Sequence, residues 1–261
     1  MTVKTPRVRM FAGPNGSGKS TMIGGLDSRL SKLFLNADNL ERDLKENPIL
    51  DLTQFDTNID PHAIIGSLKE ATIPQQNDDG TKTKVPFLVT EPVIDGTTIN
   101  FSGNPINSYL ASLIIEAVRF ELVRLKVSFT FETVMSHESK IDFLRFAKDN
   151  GYRTYLYFVT TEDPVVNVNR VRIRVSEGGH PVDEIKIRQR YSRTMNLLLD
   201  AIEVSDRAFL FDNSTETSDH NITYICEVTD GADLTFNPEF DGDLPIWFET
   251  HVLVHLDNEA E

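Results

Sequence analysis

Three observations predict an α/β fold built on a mostly parallel five-stranded sheet. Short apolar, β-prone runs alternate with stretches of helical period along much of the chain. A glycine-rich turn, Gly13-Pro14-Asn15-Gly16-Ser17-Gly18-Lys19-Ser20-Thr21, falls between a strand-like run and a helix-like one. Acidic residues stand at the ends of two further apolar runs, Asp38 and Glu132. With 261 residues and 39% hydrophobic side chains, the chain can bury a sizeable core. The expected organisation is one domain over residues 1–214, a β-rich insertion at about 46–107 after the second strand, and an acidic extension, 215–261, packed on the same domain as a small antiparallel piece.

Composition excludes several classes. One cysteine, Cys226, rules out a disulfide framework or a cysteine-rich zinc site within one chain. The first ten residues are mixed and polar, unlike a secretion signal, and no apolar run approaches the length that spans a bilayer. A reducing, cytoplasmic setting is expected. The net charge of −14 disfavours nucleic acid as a partner, yet it is unevenly spread. From Asn213 to Glu261 there are twelve acidic residues and no Lys or Arg. Between Val165 and Arg193, seven basic residues face three acidic ones, a local +4.

In chain order, Val8 to Ala12 reads as a first strand and Ser20 to Leu30 as a helix. The turn between them fits G-x-x-x-x-G-K-[ST], with Gly13, Gly18, Lys19 and Ser20 at the required spacings. Glycines let successive backbone N–H groups turn inward around a phosphate. Lys19 would reach β- and γ-phosphate oxygens, and the Ser20 hydroxyl would help hold Mg²⁺. A dinucleotide fingerprint starting at Gly16 would need glycine where Thr21 stands. The turn therefore predicts a nucleoside triphosphate site.

Leu33 to Asn36 reads as a second strand with Asp38 at its carboxyl end, where open parallel sheets place ligands. Asp38 could take a proton from an attacking hydroxyl, or simply cap the helix that follows. Six prolines punctuate residues 46–107 and rule out a long helix there. Asp95-Gly96 between β-prone runs predicts a hairpin, and Asn77-Asp78-Asp79-Gly80 a second turn. Ser108 to Lys126 carries the clearest helical period, leading into a third strand, Val127 to Phe131, that ends at Glu132. A helix from about Glu138 stops at Asn150-Gly151, and Tyr152 to Val159 reads as a fourth strand.

Asp163-Pro164 opens a helix on which Arg170 and Arg174 share a face. Gly178-Gly179-His180-Pro181 breaks it, and Asp183 caps a helix running to about Ile202. This helix–glycine loop–helix unit has the composition of a basic lid able to close on phosphates. Ala208 to Phe211 predicts a fifth strand, and Ile222–Val228 with Leu234–Phe236 an antiparallel hairpin. His251 and His255, four apart without a third ligand, are weak evidence for metal.

Taken together, Gly13 to Thr21, Asn36-Ala37-Asp38, Phe129-Thr130-Phe131-Glu132-Thr133, Gly151-Tyr152, Asn169 to Val175, Gly178-Gly179-His180, Arg188-Gln189-Arg190-Tyr191 and Phe211-Asp212-Asn213-Ser214 resemble the zeta-toxin family of P-loop kinases. The resemblance spans residues 8–45 and 108–214 and leaves 46–107 and the acidic C-terminal region unmatched. It implies a P-loop NTPase three-layer fold and phosphorylation of a small acceptor by ATP or GTP with Mg²⁺. The acceptor it suggests is the sugar of UDP-N-acetylglucosamine, with a small antitoxin protein as partner. Asp38 becomes the expected base, and Lys19, Arg170 and Arg174 the groups acting on the transferred phosphoryl. Pro14, Asn15, Gly16, Ser17 and Thr21 join the nucleotide-binding loop, with Arg190 beside them, and Ser20 and Glu132 face the metal. The alternative is a nucleotide-binding ATPase or switch module acting on a protein partner, although no L-S-G-G-Q stretch of a transporter ATPase occurs.

Overall fold

The computed structural model describes residues 4–25, 32–76, 82–179, 181–215 and 222–254. In chain order the elements are β1 (Arg7–Ala12), α1 (Lys19–Gly24), β2 (Phe34–Leu35), α2 (Ala37–Glu46), β3 (Ile49–Asp51), α3 (Pro61–Lys69), β4 (Thr72–Gln76), β5 (Lys82–Pro86), β6 (Val93–Asp95), β7 (Thr98–Asn100) and α4 (Ser108–Arg124). There follow β8 (Phe129–Thr133), α5 (Ser139–Asp149), β9 (Arg153–Thr160), α6 (Pro164–Ser176), α7 (Glu184–Asn196), α8 (Leu198–Val204), β10 (Arg207–Asp212), β11 (Thr223–Thr229), β12 (Asp233–Phe236) and α9 (Ile246–Phe248). They form two compact units, one of Met1–Lys32 with Phe129–Glu261 and one of Leu33–Ser128. The fold is α/β with a mostly parallel sheet.

In the first unit, strands lie side by side in the order β12-β11-β10-β9-β1-β8. The four central ones, β10-β9-β1-β8, pair in parallel, and β11 and β12 are added antiparallel. Parallel strands buried on both faces should be continuously apolar, and Val8, Met10, Phe11 and Ala12 of β1 are all buried. Phe143 of α5 meets Phe129 and Phe131 of β8 on one face, and Trp247 of α9 meets Phe158 of β9. On the opposite face Phe11, Tyr157 and Phe209 stack across three strands, with ring centroids 4.5 and 5.0 Å apart. The parallel register brings the carboxyl ends of β1, β8, β9 and β10 to one edge.

The helix expected from Glu184 to Ile202 is two helices, parted at Leu197 (φ −96°, ψ 0°). Burial of Ile187, Tyr191, Met195, Leu198 and Ile202 continues a helical period across the break. The apolar pattern therefore carries no mark of it. Lys19–Gly24 is the described part of the helix after the glycine turn, and residues 26–30 of that expectation lie outside the described residues.

In the second unit α4 packs on α2 and α3, and β3, β7 and β6 form a small antiparallel sheet. Helix α3 was not expected among so many prolines. Pro61 occupies its first turn, where the missing N–H costs nothing, and the Asp60 side chain caps it by accepting from the His62 N–H at 2.9 Å. The hairpin at Asp95 forms one residue later than expected. Asp95 pairs with Thr98, so its loop is Gly96-Thr97, and the first strand begins only at Val93. Strands β4 and β5 pair antiparallel, while the expected turn at Asn77-Asp78-Asp79-Gly80 lies outside the described residues.

No described helix is long and apolar enough to cross a membrane. Cys226 of β11 is fully buried, and burial pushes its thiol up to about 12. Reaction with a thiol reagent needs the thiolate, so at pH 8 the native chain should react far more slowly than the chain in denaturant. A chromogenic disulfide reagent, followed with and without urea, measures the ratio.

Candidate active site: a clamped phosphate loop

The loop from Gly13 to Gly18 joins β1 to α1, and three of its glycines are in backbone conformations that side chains rarely adopt: Gly13 φ 150°, Gly16 φ 79° and Gly18 φ 102°. Space is equally restrictive. A methyl on Gly13 would overlap the Val159 carbonyl oxygen at the end of β9, and one on Gly18 would overlap the Asn213 amide nitrogen. One on Gly16 would lie 2.6 Å from the Asn167 carbonyl oxygen.

Two asparagines hold this loop. Asn167 of α6, fully buried, donates from Nδ2 to the Asn15 carbonyl at 2.8 Å and accepts from the Thr161 hydroxyl. Asn213, just past β10, donates from Nδ2 to the Ser17 carbonyl at 2.8 Å. Arg190 of α7 adds a bond from Nη1 to Asn15 Oδ1 at 3.3 Å. Sequence reasoning gave neither Asn167 nor Asn213 a role. The available signals were an amide three residues before Arg170 on its helix, and an amide directly after a strand end.

Lys19 is 6% exposed, with its ammonium turned back on the loop, donating to the Gly13 and Pro14 carbonyls at 2.8 Å each. A triphosphate would have to exchange for these carbonyls. The Ser20 hydroxyl lies 3.4 Å from Glu132 Oε1 at the end of β8. No group of three or more metal-ligating side chains occurs among the described residues. A magnesium site that borrows most of its ligands from phosphate and water needs no more than the Ser20 and Glu132 oxygens, so this donor set fits Mg²⁺.

The basic helices resolve into distinct parts. Val168, Val171 and Ile187 form a small core joining α6 to α7, with Val182 packed against it. Glu184 binds Arg172 at 2.6 Å and Arg188 at 2.9 Å, and Arg188, then Arg172, holds its carboxyl below the usual range. Arg170 turns inward instead, donating to the Asn213 carbonyl at 2.8 Å and the Thr215 carbonyl at 3.1 Å. Arg174 is exposed, and its Cγ would lie 2.6 Å from a methyl placed on Gly179. His180 and His255 lie outside the described residues.

Thus the first unit gathers the loop from Gly13 to Thr21 with Arg170, Arg190 and Glu132. Asp38 belongs to the second unit, exposed in the first turn of α2. Its capping alternative is corrected by the geometry: Asn36 is the cap, its Oδ1 accepting from the Asp38 and Asn39 N–H groups at 2.8 and 3.0 Å.

A protein of Haemophilus influenzae, described as uncharacterized, is 30% identical over 105 residues, 38% of this chain and 74% of its own length. The chain belongs to the family of that Haemophilus influenzae protein. No family model matches. Among solved structures, the chain is similar to one in the complex AvrRxo1-ORF1:AvrRxo1-ORF2 with sulphate ions, at 14% identity and TM-score 0.49, covering 90% of this chain and 62% of that one. It thus spans less than two thirds of that relative's length. It is also similar to a chain of the PezAT chromosomal toxin–antitoxin system of the human pathogen Streptococcus pneumoniae, at 14% identity and TM-score 0.48, covering 97% and 85%.

The packing at Gly13 yields a stability prediction. Gly13→Ala should lower the unfolding free energy by about 3 kcal/mol, since it meets fixed backbone from a disallowed φ. Gly24→Ala, with nothing within 4 Å of the added methyl, should be neutral or stabilising by about 0.5 kcal/mol. Urea denaturation of the two variants measures the contrast.

Proposed function

We propose that the chain is a phosphotransferase that moves the γ-phosphate of ATP or GTP to a hydroxyl of a small acceptor. One observation carries the reading: a single loop presents Lys19 and Ser20, is bonded by Arg190 and by the helix that bears Arg170, and faces the Glu132 carboxylate. That collects the charges a transferring phosphoryl group needs. Catalysis in this class is mostly positioning and charge neutralisation.

In the proposed reaction, Lys19 leaves the Gly13 and Pro14 carbonyls and binds β- and γ-phosphate oxygens. Ser20 and Glu132 would hold Mg²⁺, which when bound neutralises phosphate charge. The acceptor oxygen bonds to the γ-phosphorus as the bond from phosphorus to the β–γ bridging oxygen breaks. Asp38 receives the hydroxyl proton, and the nucleoside diphosphate leaves with the bridging oxygen. Arg170 and Arg174 offset charge on the three transferred oxygens. Residues 1–214 would supply this machinery, with 215–261 as an extension on the same domain.

The zeta-toxin resemblance supports a nucleotide sugar, UDP-N-acetylglucosamine, as the first acceptor to try, and a small antitoxin as partner. The unmatched stretch 46–107 makes the acceptor the open variable. Incubation with ATP–Mg²⁺ and a panel of nucleotide sugars, nucleosides and dinucleotides, read by mass for one added phosphate, tests the reaction. The expected outcome is phosphorylation of one class. Hydrolysis with no acceptor modified, stimulated by a protein partner, would replace this reading with a nucleotide-driven switch.

For the base, Asp38→Ala should lower turnover on the true acceptor by at least about a thousandfold while leaving ATP–Mg²⁺ affinity within about threefold. Full turnover in that variant would contradict the assignment.

A further inference from the structure

Asn213 follows β10 in a stretch, Phe211-Asp212-Asn213-Ser214, to which the reaction above assigns no task. It is 6% exposed, and three of its four polar groups are engaged. Its N–H donates to the Thr160 carbonyl at 2.8 Å, continuing the β9–β10 pairing by one residue. Its carbonyl accepts from Arg170 Nη1 at 2.8 Å, and its Nδ2 donates to the Ser17 carbonyl at 2.8 Å. The same nitrogen occupies the space that a side chain on Gly18 would need. One residue therefore touches both the phosphate loop and the arginine of the basic helix.

What remains unspent is equally informative. Asn213 Oδ1 and the Ser17 hydroxyl are both buried without a hydrogen-bond partner. Buried polar atoms are nearly always satisfied, and a residue kept only for packing has no use for an amide here. The donor end of the carboxamide is the part in use, and it is aimed at the loop.

We propose that Asn213 is a positioning residue of the phosphotransferase. Its carboxamide fixes the loop at Ser17 while its carbonyl fixes Arg170, so that the phosphate cradle and the arginine keep one register. It touches no substrate and acts through the two groups it joins. Asn167 makes the parallel link from α6 to Asn15, whereas Asn213 joins the Arg170 side chain, through its backbone carbonyl, to the loop, through its carboxamide.

This inference rests on the phosphotransferase reading, and a double-mutant cycle separates the two. Asn213→Ala, Arg170→Ala and the double variant are compared for ATP–Mg²⁺ affinity by calorimetry and for turnover, with thermal unfolding recorded for each. Asn213→Asp keeps the shape and removes the donor. If Asn213 sets the register, each single change should weaken ATP–Mg²⁺ binding about tenfold, and the double variant should lose no more than about threefold beyond the worse single one. Asn213→Asp should bind at least as weakly as Asn213→Ala, because it also places negative charge beside the loop. Additive losses, or wild-type affinity in Asn213→Asp, overturn the proposal. Should Asn213→Ala fail to fold, the cycle built on Asn213→Asp decides. A wild-type chain that transfers phosphate but gives an additive cycle defeats only the positioning role. One that binds ATP–Mg²⁺ with a coupled cycle yet modifies no acceptor defeats only the phosphotransferase. One that binds no triphosphate defeats both.

Discussion

The close approach of backbone to Gly13 and Gly16, and of the Asn213 side chain to Gly18, is the constraint on which the rest depends. No side chain fits at these positions, because the end of β9, helix α6 and Asn213 already occupy the space. The loop's shape is therefore set by its walls as much as by its own sequence. Those walls include the strand ends of the parallel sheet, where Val159 lies against Gly13 and Asn213 against Ser17 and Gly18. A glycine loop without them would be a flexible turn. With them it is a preformed cradle, which would lower the entropic cost of binding a phosphate in the proposed reaction.

Charge is arranged around the cradle in the same economical way. The cluster of arginines between residues 170 and 193 is not one uniform basic surface. Glu184 bridges Arg172 and Arg188 on the helical hairpin and offsets one of their two charges, whereas Arg170 and Arg190 turn inward to the strand end and the loop. The acidic C-terminal region contributes through packing: Trp247 donates to the buried Asp212 carboxylate at 2.8 Å, and Ser214 donates to the same carboxylate from its hydroxyl at 2.6 Å and from its N–H at 2.9 Å. That bonding steadies the turn from which Asn213 reaches the loop. Glu162 lies nearby, its carboxyl raised first by burial and then by the Asp212 charge.

Much of this was legible in the sequence because it was local. Glycine spacing, the strand before it and the caps at Asp163 and Asp183 depend on neighbours along the chain, and each appears where those neighbours demand. The break at Leu197 was illegible because the apolar period continues through it. Helix α3 was hidden by a proline that starts a helix as readily as it ends one. In the candidate site, residue type and spacing singled out Lys19, Ser20 and Glu132, and the structure brings the Ser20 hydroxyl within 3.4 Å of Glu132. The bonds made by Asn167 and Asn213 were not, since an asparagine in a helix or after a strand looks like any other polar residue. Their partners are 152 and 196 residues away, and only the fold brings them together.

The central claim is that this clamped loop binds a nucleoside triphosphate through Lys19. Calorimetric titration of the wild-type chain and of Lys19→Ala with ATP–Mg²⁺, with AMP as the control ligand, tests it most directly. The account predicts that the wild type binds ATP–Mg²⁺ far more tightly than AMP, and that Lys19→Ala, still folded, loses that preference. Equal affinity of the two chains for ATP–Mg²⁺, or no binding by the wild type, would contradict it.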